Sequence, residues 1–316
     1  MSRFPGPVRG HSLAALAAAV VVLAACGSSA AAPTRSAAAH VPRFPLRIQA
    51  ANGTVRLATR PARIVSLSAS ATEDLYAVGA GKQVVAVDSY STYPKRAPHT
   101  KLSAYKPNAE AIAKYRPDLV VISNDQDQIV AQLGKLRIPV LVEPAAANLA
   151  GVYGEIRQIG RATGHTLGAK RVVARMKRQI AAIVRSTPRP NPPLSVYHEL
   201  DQTYYSADSH TFIGQLYSLL GLRNIADKAS SASHYPQLSA EYIISANPDL
   251  IVLADTVCCG QTQATVAARP GWNTIKAVKT GMVVPVNDSI ASEWGPRIVL
   301  FLKAVASAVK TLEAHG

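Results

Sequence analysis

The sequence is short of acid, of cysteine and of phenylalanine. Nineteen Asp and Glu face 34 Lys and Arg over 316 residues, a formal charge of +15. No Asp or Glu falls between Glu155 and Glu199. Cysteine occurs only as Cys26, Cys258 and Cys259, which excludes a disulfide framework and any Cys/His metal spacing. His198-Glu199 and His234 do not make a His-Glu-x-x-His pattern, and there is no Gly-x-Ser-x-Gly elbow or Walker loop. No catalytic residue and no cofactor is therefore assigned, and enzyme function has little support. Zinc-finger spacing, an RNP-type motif and a basic–aromatic stripe are all missing, so the charge does not point to nucleic acid. It points to an anionic surface or ligand, or, for the run Arg157 to Arg189, to a solvated helix face.

What is present is a chain that can build a large core. Hydrophobic residues make up 48% and charged residues 17%, and the length suits about two domains of ordinary size. The N-terminus reads as a targeting segment. Arg3 and Arg9 precede the apolar run Leu13–Leu23, which is too short to span a bilayer comfortably. The run ends at Leu23-Ala24-Ala25-Cys26-Gly27, which resembles the lipobox of bacterial lipoproteins. That resemblance implies a signal peptide over residues 1–25 and lipid on Cys26. Ordinary cleavage near Ala25 is the alternative. From Gly27 to about Pro42 the chain is mostly Ala, Ser, Pro and Thr, with too little apolar surface to fold. A flexible tether is expected over residues 26–50.

Asn52-Gly53 signals a hairpin. Then apolar strands alternate with helices. Ile64–Leu67, Val84–Asp88, Asp118–Ser123 and Pro139–Val142 read as strands. Ser70-Ala71-Thr72-Glu73 reads as a capping box that starts a helix, and Asn108 as the cap of another. Such alternation implies a mostly parallel sheet covered on both faces. Residues 51–150 thus form a first α/β lobe. Within 151–190, a helix from about Leu167 to Ser186 carries one apolar face, Val172, Val173, Met176, Ile180 and Ile183, and Thr166 is placed to cap it. At 20 residues it spans roughly 30 Å. Pro188, Pro190, Pro192 and Pro193 stop it. The alternation restarts over 191–316 with strands at Leu194–Glu199, Leu250–Ala254 and Met282–Val286 and a last helix from about Pro296 to Leu312.

One stretch returns 131 positions later. Asn108-Ala109-Glu110-Ala111-Ile112, followed by Pro117-Asp118-Leu119, is echoed by Ser239-Ala240-Glu241-Tyr242-Ile243, followed by Pro248-Asp249-Leu250. Two similar α/β lobes joined by one long helix is the economical arrangement, with a ligand in the cleft between them.

The chain from about residue 52 resembles the substrate-binding proteins of ABC importers for ferric siderophores, haem and cobalamin. The matching stretches are Arg63-Ile64-Val65-Ser66-Leu67 with Ala71-Thr72-Glu73, Asp88-Ser89-Tyr90-Ser91-Thr92-Tyr93-Pro94, the two Glu-to-Pro-Asp-Leu segments, Ala268-Arg269-Pro270-Gly271-Trp272 and Gly295-Pro296-Arg297. The resemblance implies two Rossmann-like lobes joined by a single helix, the class III plan of periplasmic binding proteins. It also implies a monomer outside the cytoplasm, anchored to the cell membrane, that hands a bulky chelate to an importer permease. Ferric siderophore and cobalamin come ahead of haem. An exported metal-dependent or chelatase-like enzyme on a related two-lobed fold is the alternative.

In that family one Glu per lobe meets permease arginines, which implies docking roles for Glu110 and Glu241. Both glutamates also favour a helix N-terminus on their own account. Glu73 has a local role as partner of Ser70. Tyr outnumbers Phe 12 to 4, and its flat apolar face with one polar tip suits a large ligand. Tyr90, Tyr105, Tyr204, Tyr235, Trp294 and Arg297 are the candidate ligand residues. Each tyrosine is equally readable as an ordinary surface side chain. Arg297 would pair with an anionic ligand or with a local carboxylate. Cys258-Cys259 fits no family pattern and stands open between a vicinal disulfide, free thiols and ligand contact.

Overall fold

The computed structural model describes residues 42–229 and 233–315. Residues 1–41, with the expected signal segment and Cys26, lie outside the described residues.

The described chain starts with a hairpin, β1 (Leu46–Ala50) against β2 (Gly53–Leu57). Ala50 pairs with Gly53, so the turn is Ala51-Asn52, and Gly53 leaves it at φ 94°, where a Cβ is disfavoured. The expected tether therefore ends earlier than residue 50, because Leu46–Ala50 belongs to the fold. The Asn52 amide donates to the carbonyl of Val140 and its oxygen accepts from Val142 N–H. That ties the hairpin to an edge strand of the first lobe.

The first lobe then runs β3 (Ile64–Leu67), α1 (Ala69–Val78), β4 (Val84–Val87), α2 (Ala109–Ala113), β5 (Leu119–Ile122), α3 (Ile129–Lys135), β6 (Val140–Val142) and α4 (Leu149–Ala162). The connecting helix is α5 (Thr166–Ser186). The second lobe runs β7 (Ser195–Glu199), α6 (Phe212–Leu219), β8 (Arg223–Asn224), α7 (Ala240–Ala246), β9 (Leu250–Leu253), α8 (Gln263–Ala267), α9 (Lys276–Lys279), β10 (Val283–Pro285), α10 (Asp288–Ser292) and α11 (Ile298–His315). Every strand of both four-stranded sheets is parallel to its neighbours, in the orders β4-β3-β5-β6 and β10-β9-β7-β8. Read from the other edge, the second order is β8-β7-β9-β10, the same as the first. Strands β3, β5 and β9 are buried at every position, as parallel strands covered on both faces must be. No helix among the described residues is long and apolar enough to cross a membrane.

The sequence echo has a local cause in each lobe. The Asp118 carboxylate accepts from the backbone N–H of Ala62 and Arg63, 2.8 and 2.9 Å away. The Asp249 carboxylate accepts from the N–H and hydroxyl of Ser195 at 2.8 and 2.7 Å. Each Pro-Asp break thus clips the start of the lobe's first strand beside its third, where Ile64 pairs with Leu119 and Val196 with Leu250. Asn108 and Ser239 cap α2 and α7 as expected, accepting from Ala111 and Tyr242 N–H.

Two helix starts differ from expectation. Ser68, in extended conformation, caps α1 by accepting from Ala71 N–H. Ser70 is already inside the helix, so Glu73 is no capping-box partner and is released for another role. Helix α5 starts with Thr166 inside it, after His165, which makes no side-chain cap.

One apolar cluster runs from the hairpin through α1, α4 and α5 into β7, α6 and α11. The outer faces of the two sheets have their own clusters, around Val65, Leu67 and Ile112, and around Tyr197, Trp272 and Ile275. Helix α5 packs on α1 and α4 on one side and α11 on the other. Gly168 permits the closest of these approaches: a Cβ there would lie 1.8 Å from the Val78 carbonyl oxygen.

Candidate functional site

In open parallel sheets the loops after the strand ends carry ligand sites. Here the loops after β3, β4 and β5 meet the α10–α11 connection of the second lobe. They enclose a cavity of about 250 Å³ lined by Ser68, Asp88, Tyr90, Tyr105, Asn124 and Trp294, among others. Tyr90 and Tyr105, 58% and 65% exposed, meet edge to face with ring centroids 5.0 Å apart. Their loop is anchored underneath. The Ser91 hydroxyl donates to Asp88 at 2.5 Å, and the Thr72 hydroxyl bridges to Ser66 and Ser91. Burial pushes the Asp88 carboxyl above its ordinary range, against those hydrogen bonds.

Trp294 comes to the cavity from the other lobe. Burial pushes the carboxyl of Glu155 of α4 up to about 7, against the lowering influence of the Trp294 side chain. Beside it, Arg297 donates through Nε to Glu73 of α1 at 2.6 Å, and a second nitrogen of the same guanidinium also meets that carboxylate. It reaches Glu293 at 3.3 Å, and its guanidinium lies 4.0 Å over the Tyr93 ring. Glu73 is 3% exposed. Of the two readings of Arg297, the local carboxylate is the one observed, and the pair bridges the lobes. Burial, and then the neighbouring Glu73 carboxyl through a hydrogen bond and its charge, push Glu293 to about 9. Asp74 and Glu143 are also buried beside these groups. Burial, then Glu155, raises Glu143 to about 8, and burial first, then its acidic neighbours, raises Asp74.

Tyr204 and Tyr235 do not line this cavity. Tyr204, at φ 70°, folds back onto Trp272, with ring centroids 5.6 Å apart, and under the Arg269 guanidinium. Tyr235 stays exposed on the second lobe, its hydroxyl raised by partial burial and then by Asp208. Arg269 of the family-like segment is explained by a two-pronged ion pair with buried Glu199, 2.6 Å on each arm. Burial and then Glu199 raise nearby Asp255 to about 7. Glu110 and Glu241 are exposed, each the second residue of its short helix. Cys258 and Cys259 form a vicinal disulfide after β9, held by Cys258 N–H donating to Asp288 at 2.7 Å. Asp208 and His210, which sequence reading passed over, lie with His234 in one group.

This architecture is that of a class III solute-binding protein, and the chain belongs to the periplasmic binding protein family, whose sequence profile matches residues 64–289. It is 33% identical over 270 residues to a cobalamin-binding protein of Halobacterium salinarum (strain ATCC 29341), covering 82% of this chain and 72% of that one. It is 32% identical over 277 residues to the uncharacterized ABC transporter substrate-binding lipoprotein YvrC of Bacillus subtilis (strain 168), covering 84% and 86%. A possible iron-binding periplasmic solute-binding protein from Staphylococcus epidermidis superposes with a TM-score of 0.67 at 26% identity, over 79% of this chain and 99% of that one. The periplasmic vitamin B12 binding protein BtuF of Vibrio cholerae shares the fold, with a TM-score of 0.66 at 22% identity over 80% and 98%.

Proposed function

We propose that this protein is lipidated on Cys26, works outside the cytoplasm and delivers a bulky metal chelate to an ABC importer, with a corrinoid first, a ferric siderophore second and haem third. The observation that carries the reading is the cavity between the lobes, walled by Tyr90 and Tyr105 from one side and Trp294 from the other. Three aromatic faces round one opening suit a large ring with polar edges, and each packed ring contributes about 1 kcal/mol beyond burial. The names of the relatives above favour the corrinoid. Glu110 and Glu241, exposed in the same frame of each lobe, are the docking carboxylates for permease arginines. Tyr204 and Tyr235 stand outside the cavity and contribute less.

Fluorescence titration with cobalamin, haemin and a ferric siderophore tests the reading. Saturable cobalamin binding is expected, weakened at least tenfold in Tyr90→Ala, Tyr105→Ala. Failure of all three chelates to bind, or a double variant that binds as tightly as wild type, overturns it.

A further inference from the structure

We propose that Asp208, His210 and His234 form a second ligand site, for one divalent transition cation of the Zn²⁺ class. The three donor atoms lie within 4.8 Å of one another. His234 Nδ1 is 2.9 Å and His210 Nδ1 3.5 Å from the same oxygen of Asp208. A tetrahedral zinc ion with bonds of about 2.0–2.1 Å sets its donors roughly 3.4 Å apart. The observed spacing needs only a small turn of two exposed imidazoles to reach it.

The frame under the donors is fixed. Asp208 is fully buried, and its N–H donates to the His234 carbonyl at 3.0 Å, which locks the two loops together. His210 N–H donates to the other Asp208 oxygen at 2.9 Å. The N–H and hydroxyl of Thr211 both donate to the Asp208 carbonyl. Helix α6 closes on that carbonyl through Gly214, where a Cβ would lie 2.0 Å from it. On the next residue, the Ser209 N–H and hydroxyl each donate to Asp227 at 2.8 Å. Gln215 joins the same loop to the first lobe through the carbonyls of His210 and Ala147.

The donor set selects the ion. Two imidazoles and one carboxylate suit zinc-class cations and discriminate against magnesium and calcium, which prefer oxygen throughout. Three protein donors leave a coordination position for water, the pattern of an exchangeable site rather than a closed structural one. This cation site is independent of which chelate the cleft carries.

The test uses the purified protein without a histidine tag, chelator-treated and kept free of reductant so that Cys258 and Cys259 stay joined. Calorimetric titration with Zn²⁺ should show one equivalent bound, with Mg²⁺ giving no heat. Single His210→Ala and double His210→Ala, His234→Ala variants should lose at least tenfold and a hundredfold in affinity. His99→Ala should match wild type. Without metal, the single variant should unfold at the wild-type temperature, and Zn²⁺ should raise that temperature in wild type and not in the double variant. Absence of stoichiometric binding in wild type, or binding that persists in the double variant, overturns the assignment.

Discussion

Removing the Arg297 guanidinium puts the lobe-to-lobe tie to its hardest test. Glu73 is 3% exposed and Arg297 is its ion-pair partner, with two guanidinium nitrogens on one carboxylate oxygen. Breaking a buried pair from one side costs about 3–5 kcal/mol, because the remaining charge is left in low dielectric. The Arg297 side chain retains 17% exposure, which lets water relieve part of this and favours the lower end. Loss of the guanidinium from the Tyr93 face adds about 0.5–1 kcal/mol. Arg297→Ala should therefore cost about 3.5–4 kcal/mol in urea unfolding, with an unchanged dependence on urea concentration. Arg297→Ala combined with Glu73→Gln should cost clearly less than the two singles added, because the double variant leaves no stranded charge. The same proteins titrated with the chelate separate the two roles of Arg297. An anion receptor loses ligand affinity and leaves stability within 0.5 kcal/mol. That outcome, or additive single costs, refutes the tie.

Stability should fall as pH rises from 5 to 8. Glu143 titrates near 8 in the folded protein against an ordinary 4.5, so the folded state binds the extra proton throughout that window and loses its advantage as pH climbs. Glu143→Gln should make the profile shallower, with Glu155, Asp255 and Glu293 keeping the remaining slope, and raise the unfolding temperature at pH 8, and a wild-type profile that rises over this range contradicts the sign. Glu110→Ala, Glu241→Ala should abolish transport in reconstituted vesicles and leave chelate affinity in solution unchanged; loss of affinity would move both residues into the pocket. Metabolic labelling with a lipid precursor should mark wild type and not Cys26→Ala, and equal labelling of both removes the anchor.

The strands were legible because a parallel strand covered on both faces must be apolar throughout, and Ile64–Leu67, Leu119–Ile122 and Leu250–Leu253 are nearly so. The repeated Pro-Asp was legible as a repeat, but its purpose needed the partner strand more than 50 residues away in each lobe. Helix α1 was misread because Ser68 and Ser70 both offer a capping hydroxyl. Only the extended backbone of Ser68 decides between them. Glu73 then finds Arg297, 224 positions along the chain, a distance no local pattern reports. Tyr90 and Tyr105 reach one cavity because both follow first-lobe strands. Tyr204 follows a strand too, but its left-handed backbone turns it onto Trp272. His210 and His234 carry no spacing signal, since two separate loops bring them to Asp208.

Mechanically, α5 is a beam held at both ends. Near its start, Gly168 seats against the Val78 carbonyl of α1 with no room for a single added carbon. Near its end, Lys310 of α11 donates to the Ser186 hydroxyl at 3.0 Å, and α11 lies along the same helix. Between these grips runs one uninterrupted apolar cluster shared by both lobes. A beam fixed in this way resists bending and leaves little travel for a hinge. On the function proposed above, loading the cleft would change the separation of its two rims very little, so rim spacing would be a weak signal of occupancy. A partner that touched both rims at once would then have to sense the cargo itself, by the surface it fills between them.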